Sequence, residues 1–165
     1  MIKKKINLIL PDIRSCHNVG AMFRSADAFG VSKIYLVGYT PCPPKPQIDK
    51  VSLGAEKWVL WEKRVSLKRL ISGLKKKGVW VVGLEKTDSS YQISAMPAGR
   101  QDNSNHFKNK DIALIVGNEV EGISDEILKL CDEVVHILMY GKKESLNVSV
   151  AAGIAMYEIR RALEG

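Results

Sequence analysis

The sequence predicts an α/β fold, with a mostly parallel sheet of five or six strands and helices on both of its faces. Short runs rich in β-branched residues alternate along the chain with segments of helical periodicity. These runs lack polar alternation, which is typical of strands buried on both faces of a parallel sheet. With 165 residues, 45% of them apolar, the chain is predicted to form a single domain over residues 1–165.

The individual elements follow from the same patterns, taken in chain order. The predicted strands are the apolar runs at residues 6–10, 33–37, 79–84, 112–116 and 134–138. The predicted helices are at residues 19–29, 67–76, 125–130 and 146–163. Gly30 and Gly78 are expected as C-terminal caps, and Ser124 as an N-terminal cap. The last helix is expected to bury one apolar face, made of Ala151, Ile154, Ala155 and Ile159.

Two long loops connect these elements. Residues 39–46 contain four of the six prolines, so this segment is predicted to be stiff and extended. Residues 87–110 are polar and are predicted to form a long surface loop, and such loops are often functional.

The charge and cysteine content narrow the class of protein. The chain carries 25 Lys and Arg against 18 Asp and Glu, a net charge of +7 that attracts polyanions such as nucleic acids. A charge of about 2–8 is also ordinary for a soluble domain. The apolar runs are far shorter than the roughly 20 residues of a membrane span. Three scattered cysteines fit a reducing compartment, so we expect a cytoplasmic protein without a membrane segment or a metal site.

The first candidate motif, residues 18–24 (Asn-Val-Gly-Ala-Met-Phe-Arg), lies where the first strand leads into the first helix. Asn18 is expected to cap that helix, and Gly20 to allow close backbone approach. A phosphate or ribose over the helix N-terminus would meet backbone N–H groups and the guanidinium of Arg24. An ordinary cap and a surface arginine are the simpler interpretation of this motif alone.

The second motif, residues 117–122 (Gly-Asn-Glu-Val-Glu-Gly), presents Glu119 at the carboxyl end of a predicted strand. Ligands of α/β folds bind at that end. The two glycines have the spacing of a P-loop, but Ile-Ser follows where Lys-Ser or Lys-Thr is required, so a P-loop is excluded. The alternative is a tight turn with a solvated glutamate.

The third motif, residues 145–149 (Ser-Leu-Asn-Val-Ser), opens the last helix after a glycine-containing loop. Ser145 and Asn147 are favoured N-cap residues, so capping alone explains at least one of them. Other sites find no support: the three histidines form no metal-ligand pattern with the cysteines, and the sequence has neither a nucleophile elbow nor a G-x-G-x-x-G dinucleotide fingerprint.

Together the three motifs resemble those of the SpoU/TrmH-like branch of the SPOUT superfamily of RNA methyltransferases. Asn-x-Gly-x-x-x-Arg at residues 18–24 is similar to the first family motif, residues 117–122 to the second and residues 145–149 to the third, in the family's order. The resemblance extends over about residues 7–160. One departure is Leu138, where many relatives have a proline.

This resemblance implies a C-terminal deep trefoil knot that holds S-adenosylmethionine, a homodimer, and methyl transfer to a ribose 2′-hydroxyl of tRNA or rRNA. Such knots are rare among protein folds. The resemblance assigns the cofactor pocket to Leu84, Gly117, Ile137 and Leu146. It assigns the catalytic site to Arg24, Asn18, Glu119, Ser145 and Asn147.

Family schemes give the arginine the role of base, but a guanidinium stays charged at neutral pH. We therefore expect Arg24 to clamp a phosphate and to stabilise the developing alkoxide. Glu119 and Asn147 are expected to orient the ribose and the neighbouring loops. The segment at residues 45–54 is the first candidate for substrate contact. Other basic candidates are residues 3–5, Arg14, Lys57 and residues 75–77.

Two other functions remain open on the residues alone. One is methylation of a base by an enzyme of the same fold, and the other is RNA binding without catalysis. The Ser-Leu-Asn-Val-Ser segment favours a ribose target, and the presence of all three motifs favours an enzyme. A nicotinamide-dependent oxidoreductase is disfavoured because its glycine fingerprint is missing.

Overall fold

The computed structural model describes residues 4–96 and 109–164. They form a seven-stranded sheet of order β3-β2-β1-β6-β4-β7-β5, in which every pair of neighbouring strands is parallel. The strands are β1 (Ile6–Pro11), β2 (Lys33–Val37), β3 (Trp61–Arg64), β4 (Trp80–Leu84), β5 (Tyr91–Gln92), β6 (Ile112–Val116) and β7 (Glu133–His136). The helices are α1 (Cys16–Ala28), α2 (Pro46–Ser52), α3 (Leu67–Lys76), α4 (Asp125–Leu128) and α5 (Val148–Glu164). The α/β class is confirmed.

The central strands are buried on both faces because their alternate side chains enter two separate cores. Leu8 and Leu10 of β1 pack with residues of α1 and α5, whereas Ile9 between them packs with residues of α3 and α4. Helices α1, α2 and α5 therefore cover one face of the sheet, and α3 and α4 cover the other. This two-sided burial explains why the strands lack polar alternation.

Two short strands were not predicted, so the sheet has seven strands rather than five or six. Strand β3 lies at the edge of the sheet, and its sequence Trp-Glu-Lys-Arg is polar and partly exposed. Charged side chains on an edge strand discourage pairing with other chains, but they also hide the strand from a search for apolar runs. Strand β5 has only two residues, which is too short for any periodicity.

The start of α1 differs from the prediction. Ser15, not Asn18, is the N-cap, and its Oγ accepts a hydrogen bond of 3.2 Å from the backbone N–H of Asn18. Gly20 is small for a reason of packing: a Cβ there would lie 2.7 Å from the carbonyl oxygen of Ile48 in α2. The close approach is therefore to a neighbouring helix and not to a ligand.

The proline-rich loop ends earlier than predicted, because Pro46 begins α2. Proline is favoured at the first position of a helix, where its missing N–H has no intrahelical partner to lose. In the second loop, β5 and a 3-10 turn at Ile93–Ala95 form ordered structure. Residues 97–108 of that predicted loop lie outside the described residues.

Helix α5 faces the sheet with a different side than the one predicted. Ala155 and Ile159 are buried as expected, but Ala151 is half-buried and Ile154 is 38% exposed. Ala152 and Met156 fill the core instead. The helix has apolar residues on both sides, so periodicity does not show which side meets the sheet. The side turned outward is an apolar stripe, made of Val150, Ile154 and Tyr157 together with Leu146, which precedes the helix.

Both predicted glycine caps are confirmed, because Gly30 and Gly78 have φ angles of +65° and +79°. Among the described helices, none has the length and apolar character needed to cross a membrane.

Candidate active site

A cavity of about 620 Å³ lies at the carboxyl ends of β4, β6 and β7. Its volume is within the range of about 300–1,000 Å³ that is usual for small-molecule sites. All four predicted cofactor residues line it, namely Leu84, Gly117, Ile137 and Leu146. Three of the predicted catalytic residues line it as well, namely Glu119, Ser145 and Asn147. The fold thus brings together two motifs that are far apart in the sequence.

The turn at residues 117–122 forms one wall of this cavity. A Cβ on Gly117 would lie 2.6 Å from the Cα of Gly122, so only glycine allows the turn to close this tightly. Asn118 stabilises the turn, because its Oδ1 accepts hydrogen bonds from the N–H groups of Val120 at 2.9 Å and Glu121 at 2.8 Å. Sequence reasoning overlooked Asn118, although an asparagine between glycine and two turn residues is a known turn signal.

Glu119 binds the loop that precedes α1. Its Oε2 accepts a hydrogen bond of 3.1 Å from the backbone N–H of Arg14. Its Oε1 accepts from the N–H of Ser15 at 3.2 Å and from Nδ2 of Asn18 at 3.0 Å. Burial by itself would raise the pKa of this carboxyl, but these hydrogen bonds stabilise the charged form and the net pKa is lowered. Glu119 is therefore a fixed anion and a poor general base.

Asn147 connects the third motif to the first. Its Nδ2 donates a hydrogen bond of 3.1 Å to Oδ1 of Asn18. Its Oδ1 accepts from the N–H of Ser149 at 2.9 Å, which caps α5, and from the hydroxyl of the same serine at 2.6 Å. The hydrogen-bonded chain Asn147–Asn18–Glu119 thus joins all three motifs.

Arg24 is not part of the cavity lining. It lies on an exposed surface of α1. Six residues after Asn18 correspond to about one and two-thirds helical turns, so the two side chains leave the helix in different directions. The sequence spacing placed both residues near the helix start, but the helical rotation separates them.

The cavity is acidic, which sequence reasoning missed. Five carboxylate residues line it, against one cationic residue, Lys86. The carboxylates belong to Glu85, Glu119, Glu121, Asp125 and Glu144. Glu85 also supports the turn, since its Oε2 accepts a hydrogen bond of 3.0 Å from the N–H of Ile123. It directly follows a predicted strand, and that position was the available signal. A basic chain with an acidic cavity suits a cationic ligand.

The structure offers little for metal or thiol chemistry within residues 4–96 and 109–164. No group of three or more His, Cys, Asp or Glu side chains in these residues is arranged to hold a metal ion. Burial raises the pKa of the Cys131 thiol to about 11, so this thiol stays protonated and unreactive at neutral pH.

A parallel α/β sheet, a cavity at the carboxyl ends of its strands, two motifs that line it and a third that is hydrogen-bonded to both define a protein with the SPOUT methyltransferase fold. The chain belongs to the SpoU rRNA Methylase family, whose family model matches residues 5–157. The family predicted from the motifs is thereby confirmed.

Two curated relatives illustrate the relationship. A putative TrmH family tRNA/rRNA methyltransferase of Bacillus subtilis is 34% identical over 93% of this chain and 57% of that protein. A tRNA (guanosine(18)-2′-O)-methyltransferase of Aquifex aeolicus is 32% identical over 98% of this chain and 72% of that protein. The chain thus spans little more than half the length of the first of these relatives.

Solved structures show the same fold. The AdoMet-bound rRNA methyltransferase of Sinorhizobium meliloti superposes with a TM-score of 0.86 at 27% identity, over 98% of this chain and 57% of that one. The Aquifex aeolicus TrmH/SpoU tRNA modifying enzyme gives a TM-score of 0.82 at 29% identity, over 98% of this chain and 78% of that one.

Proposed function

We propose that this protein is an S-adenosylmethionine-dependent methyltransferase that modifies a ribose 2′-hydroxyl of tRNA or rRNA. The observation that carries this proposal is the hydrogen-bonded chain Asn147–Asn18–Glu119, which joins the three motifs beside a cavity of cofactor size. The named activities of the Aquifex and Bacillus relatives support it. We further propose that residues 1–165 act as one catalytic unit in the cytoplasm and that the C-terminal segment forms a trefoil knot.

The cavity fits the proposed cofactor in both shape and charge. Leu84, Ile137 and Leu146 provide apolar surface for an adenosine, and the acidic lining matches a positively charged ligand. S-adenosylmethionine supplies a methyl group activated by its positively charged sulfonium. Gly117 has no side chain and allows the turn to close, so the backbone of the turn forms this wall of the cavity.

The chain's own residues position the RNA. Arg24 is exposed and makes no ion pair within the described residues, so its guanidinium is available to clamp a phosphate with two parallel hydrogen bonds. Asn18 and Asn147 hold each other at the cavity, and Glu119 holds the loop before α1. Glu119 is thus a positioning residue. Holding the reacting atoms about 3–3.5 Å apart supplies much of the rate of such a transfer.

We propose that the active protein is a homodimer joined through the apolar stripe of α5. An exposed stripe of four large apolar residues, three of them on one helix, is costly to leave in water. Leu146 belongs both to this stripe and to the cavity lining, so a second copy bound there would adjoin the cavity.

The proposal is tested by incubating the protein with methyl-labelled S-adenosylmethionine and total RNA from cells that lack the gene. After nuclease digestion, we expect the label on 2′-O-methylated nucleosides. Label on a base would indicate base methylation, and absence of transfer to any RNA would indicate a binding factor.

The variant Arg24→Lys tests the phosphate clamp in the same assay. It loses the bidentate geometry, so turnover is expected to fall at least tenfold while thermal unfolding stays unchanged. Near-normal turnover would contradict the clamp.

A further inference from the structure

A second cavity, of about 420 Å³, lies between the edge strand β3 and helix α3. Four of its ten lining residues are cationic, and none is acidic. The four are Lys63, Arg64, Arg69 and Lys77. We call this cavity the basic groove. Nothing in the proposed transfer reaction uses it.

The carboxylate of Glu62 balances part of this positive charge, because Arg64 and Lys77 both stabilise its charged form. Arg64 pairs with Glu62 at 2.5 Å. Lys63, Arg69 and Lys77 take part in none of the ion pairs found among the described residues. Positive charges that no carboxylate balances repel one another. Binding of a polyanion in place of water and salt ions relieves this repulsion.

Helix α3 separates its basic residues into two groups. Lys68 forms an ion pair with Glu126, and Lys75 one with Asp132 at 2.9 Å, both beside α4. Arg69 of α3 and Lys77, which directly follows the helix, line the groove instead. The paired lysines hold α3 against α4 and the residues that follow it, whereas Arg69 and Lys77 line the groove.

The groove is joined to the first motif. Lys63 Nζ donates a hydrogen bond of 2.6 Å to the carbonyl oxygen of Thr40. The hydroxyl of Thr40 accepts in turn from the N–H of Ile13 at 3.0 Å, in the loop that Glu119 binds. Because β3 and β1 are two strands apart, the groove opens about 10 Å from the end of β1, along the same edge of the sheet.

We propose that the basic groove binds the phosphodiester backbone of the RNA substrate a few nucleotides away from the nucleotide in the active site. This proposal rests on the proposed function, because it assigns a second contact for the same strand. The active-site cavity lies at the ends of β6, β4 and β7, three to five strand positions from β3 and hence about 15–25 Å away. At about one phosphate per 3.4 Å of helix axis, this distance corresponds to roughly four to seven nucleotides. Beneath the cations, the groove is closed by the buried side chains of Tyr35, Leu70 and Leu74.

The two cavities have opposite charge, so each is suited to a different ligand. The first is lined by five carboxylates and one lysine, and the groove by four cations and no carboxylate. An RNA strand is repelled by the first cavity and attracted by the groove. We therefore expect the RNA strand to bind with its phosphates on the groove and its target ribose at the mouth of the first cavity. Its phosphates stay out of that cavity.

The test compares the double variant Arg69→Gln/Lys77→Gln with the matched control Lys68→Gln/Lys129→Gln. Both remove two exposed positive charges, and each takes one of them from α3. Affinity for a mixed tRNA pool is measured between 50 and 200 mM salt, a range over which phosphate contacts weaken strongly. We expect the groove variant to bind about tenfold more weakly at 100 mM salt and its salt slope to fall by roughly 1.5. The control should change affinity less than about twofold, because the exposed Lys68–Glu126 pair contributes little.

Chemical footprinting gives a second readout that needs no variant. In the wild-type protein, acetylation of Lys63 and Lys77 should decrease when tRNA is added, while acetylation of Lys129 stays the same. Equal acetylation of all three lysines with and without tRNA would overturn the proposal.

The outcomes separate the groove from the proposed function. If the wild type binds tRNA and the groove variant binds it equally well, the groove proposal fails and the methyltransferase proposal stands. If the wild type binds no RNA of any pool, the proposed function itself fails. Binding of S-adenosylmethionine by the variant shows that its fold is intact.

Titration with pyrophosphate tests the other source of phosphate, a small free anion. Loss of pyrophosphate binding in the variant with unchanged tRNA affinity would assign the groove to a small anion and overturn the proposal.

Discussion

Asn147 Nδ2 lies 3.1 Å from Asn18 Oδ1 and donates a hydrogen bond to it, across 129 positions of sequence. Each of the two asparagines has a second function. Asn147 caps α5 through Ser149, and Asn18 donates from its own Nδ2 to Glu119. Loss of this one bond should therefore disconnect the third motif from the other two while leaving the helix cap in place.

The variant Asn147→Asp tests this connection. Aspartate keeps an oxygen that caps α5, but it replaces the donor with a second oxygen facing Asn18. We expect methyl transfer to fall at least tenfold with little change in thermal unfolding. Asn147→Ala is the comparison, since it also loses the cap and should lower the free energy of unfolding by about 1 kcal/mol. Equal activity of the wild type and Asn147→Asp would show that the bond is not needed.

Glu119→Gln is expected to loosen the loop before α1 and to change the pH dependence of stability. The fold lowers the pKa of Glu119, so its stabilising effect is complete above the ordinary carboxyl pKa and is lost as the pH falls through the lowered value. The difference in unfolding free energy between wild type and variant should thus be larger at pH 7 than at pH 3. Urea unfolding at the two pH values measures it.

Glu121→Gln is the control for this experiment. It removes a carboxylate from the same turn, but the backbone donors at Arg14 and Ser15 keep their bonds to Glu119. A pH-independent difference for Glu119→Gln, or the same difference for both variants, would contradict the argument.

Gly117→Ala is expected to destabilise the turn and to damage the cofactor cavity together. The added Cβ would lie 2.6 Å from Gly122 Cα and 3.0 Å from the backbone nitrogen of Ile123, and backbone atoms cannot move aside as a flexible side chain does. We expect a loss of about 1–3 kcal/mol in unfolding free energy. Calorimetric titration should show at least tenfold weaker binding of S-adenosylmethionine.

Gly73→Ala provides the matched control, because a Cβ at that position of α3 meets no atom within 4 Å. Alanine in a helix interior is better than glycine by up to about 1 kcal/mol, so this variant should be slightly more stable and bind the cofactor normally. Cofactor binding by Gly117→Ala at wild-type strength would show that the turn is adaptable.

Ile154→Glu tests the proposed dimer. It places a charge in the middle of the apolar stripe of α5, where a second copy would have to bury it at a high cost. Light scattering should show a dimer for the wild type and a monomer for the variant, with reduced methyl transfer. Leu60→Glu, at a position that is 68% exposed and outside the stripe, should remain dimeric. A dimeric Ile154→Glu would exclude this face as the interface.

Those parts of the molecule that depend on neighbours in the sequence could be predicted. Strands buried on both faces appear as continuous apolar runs, and β1, β2, β4, β6 and β7 were all recognised in this way. The bounds of α3 were predicted without error, because its apolar face and the glycine cap at Gly78 agree with each other. Elements with weak local signals, such as the charged edge strand β3 and the two-residue β5, were missed.

The sequence predicted several residues of the site but not the contacts that they make. The motifs and the family resemblance identified seven of the residues that line the cavity, including Leu84, Gly117, Ile137 and Leu146. They did not show that Glu119 uses both its oxygens to bind a loop, nor that Arg24 leaves α1 away from the cavity. These facts depend on the rotation of a helix and on contacts between residues about 100 positions apart.

The sequence by itself determined the class of fold and the positions of the buried strands along the chain, because these follow from composition and short-range spacing, and its three motifs identified the family by resemblance. The tertiary structure alone decided which face of α5 meets the sheet, which acids gather at one cavity and which bases gather at the basic groove. The physical reason is that a parallel sheet brings together strand ends that are distant in the chain. The net charge of each cavity therefore comes from side chains of several separate segments, and no local sequence pattern predicts it.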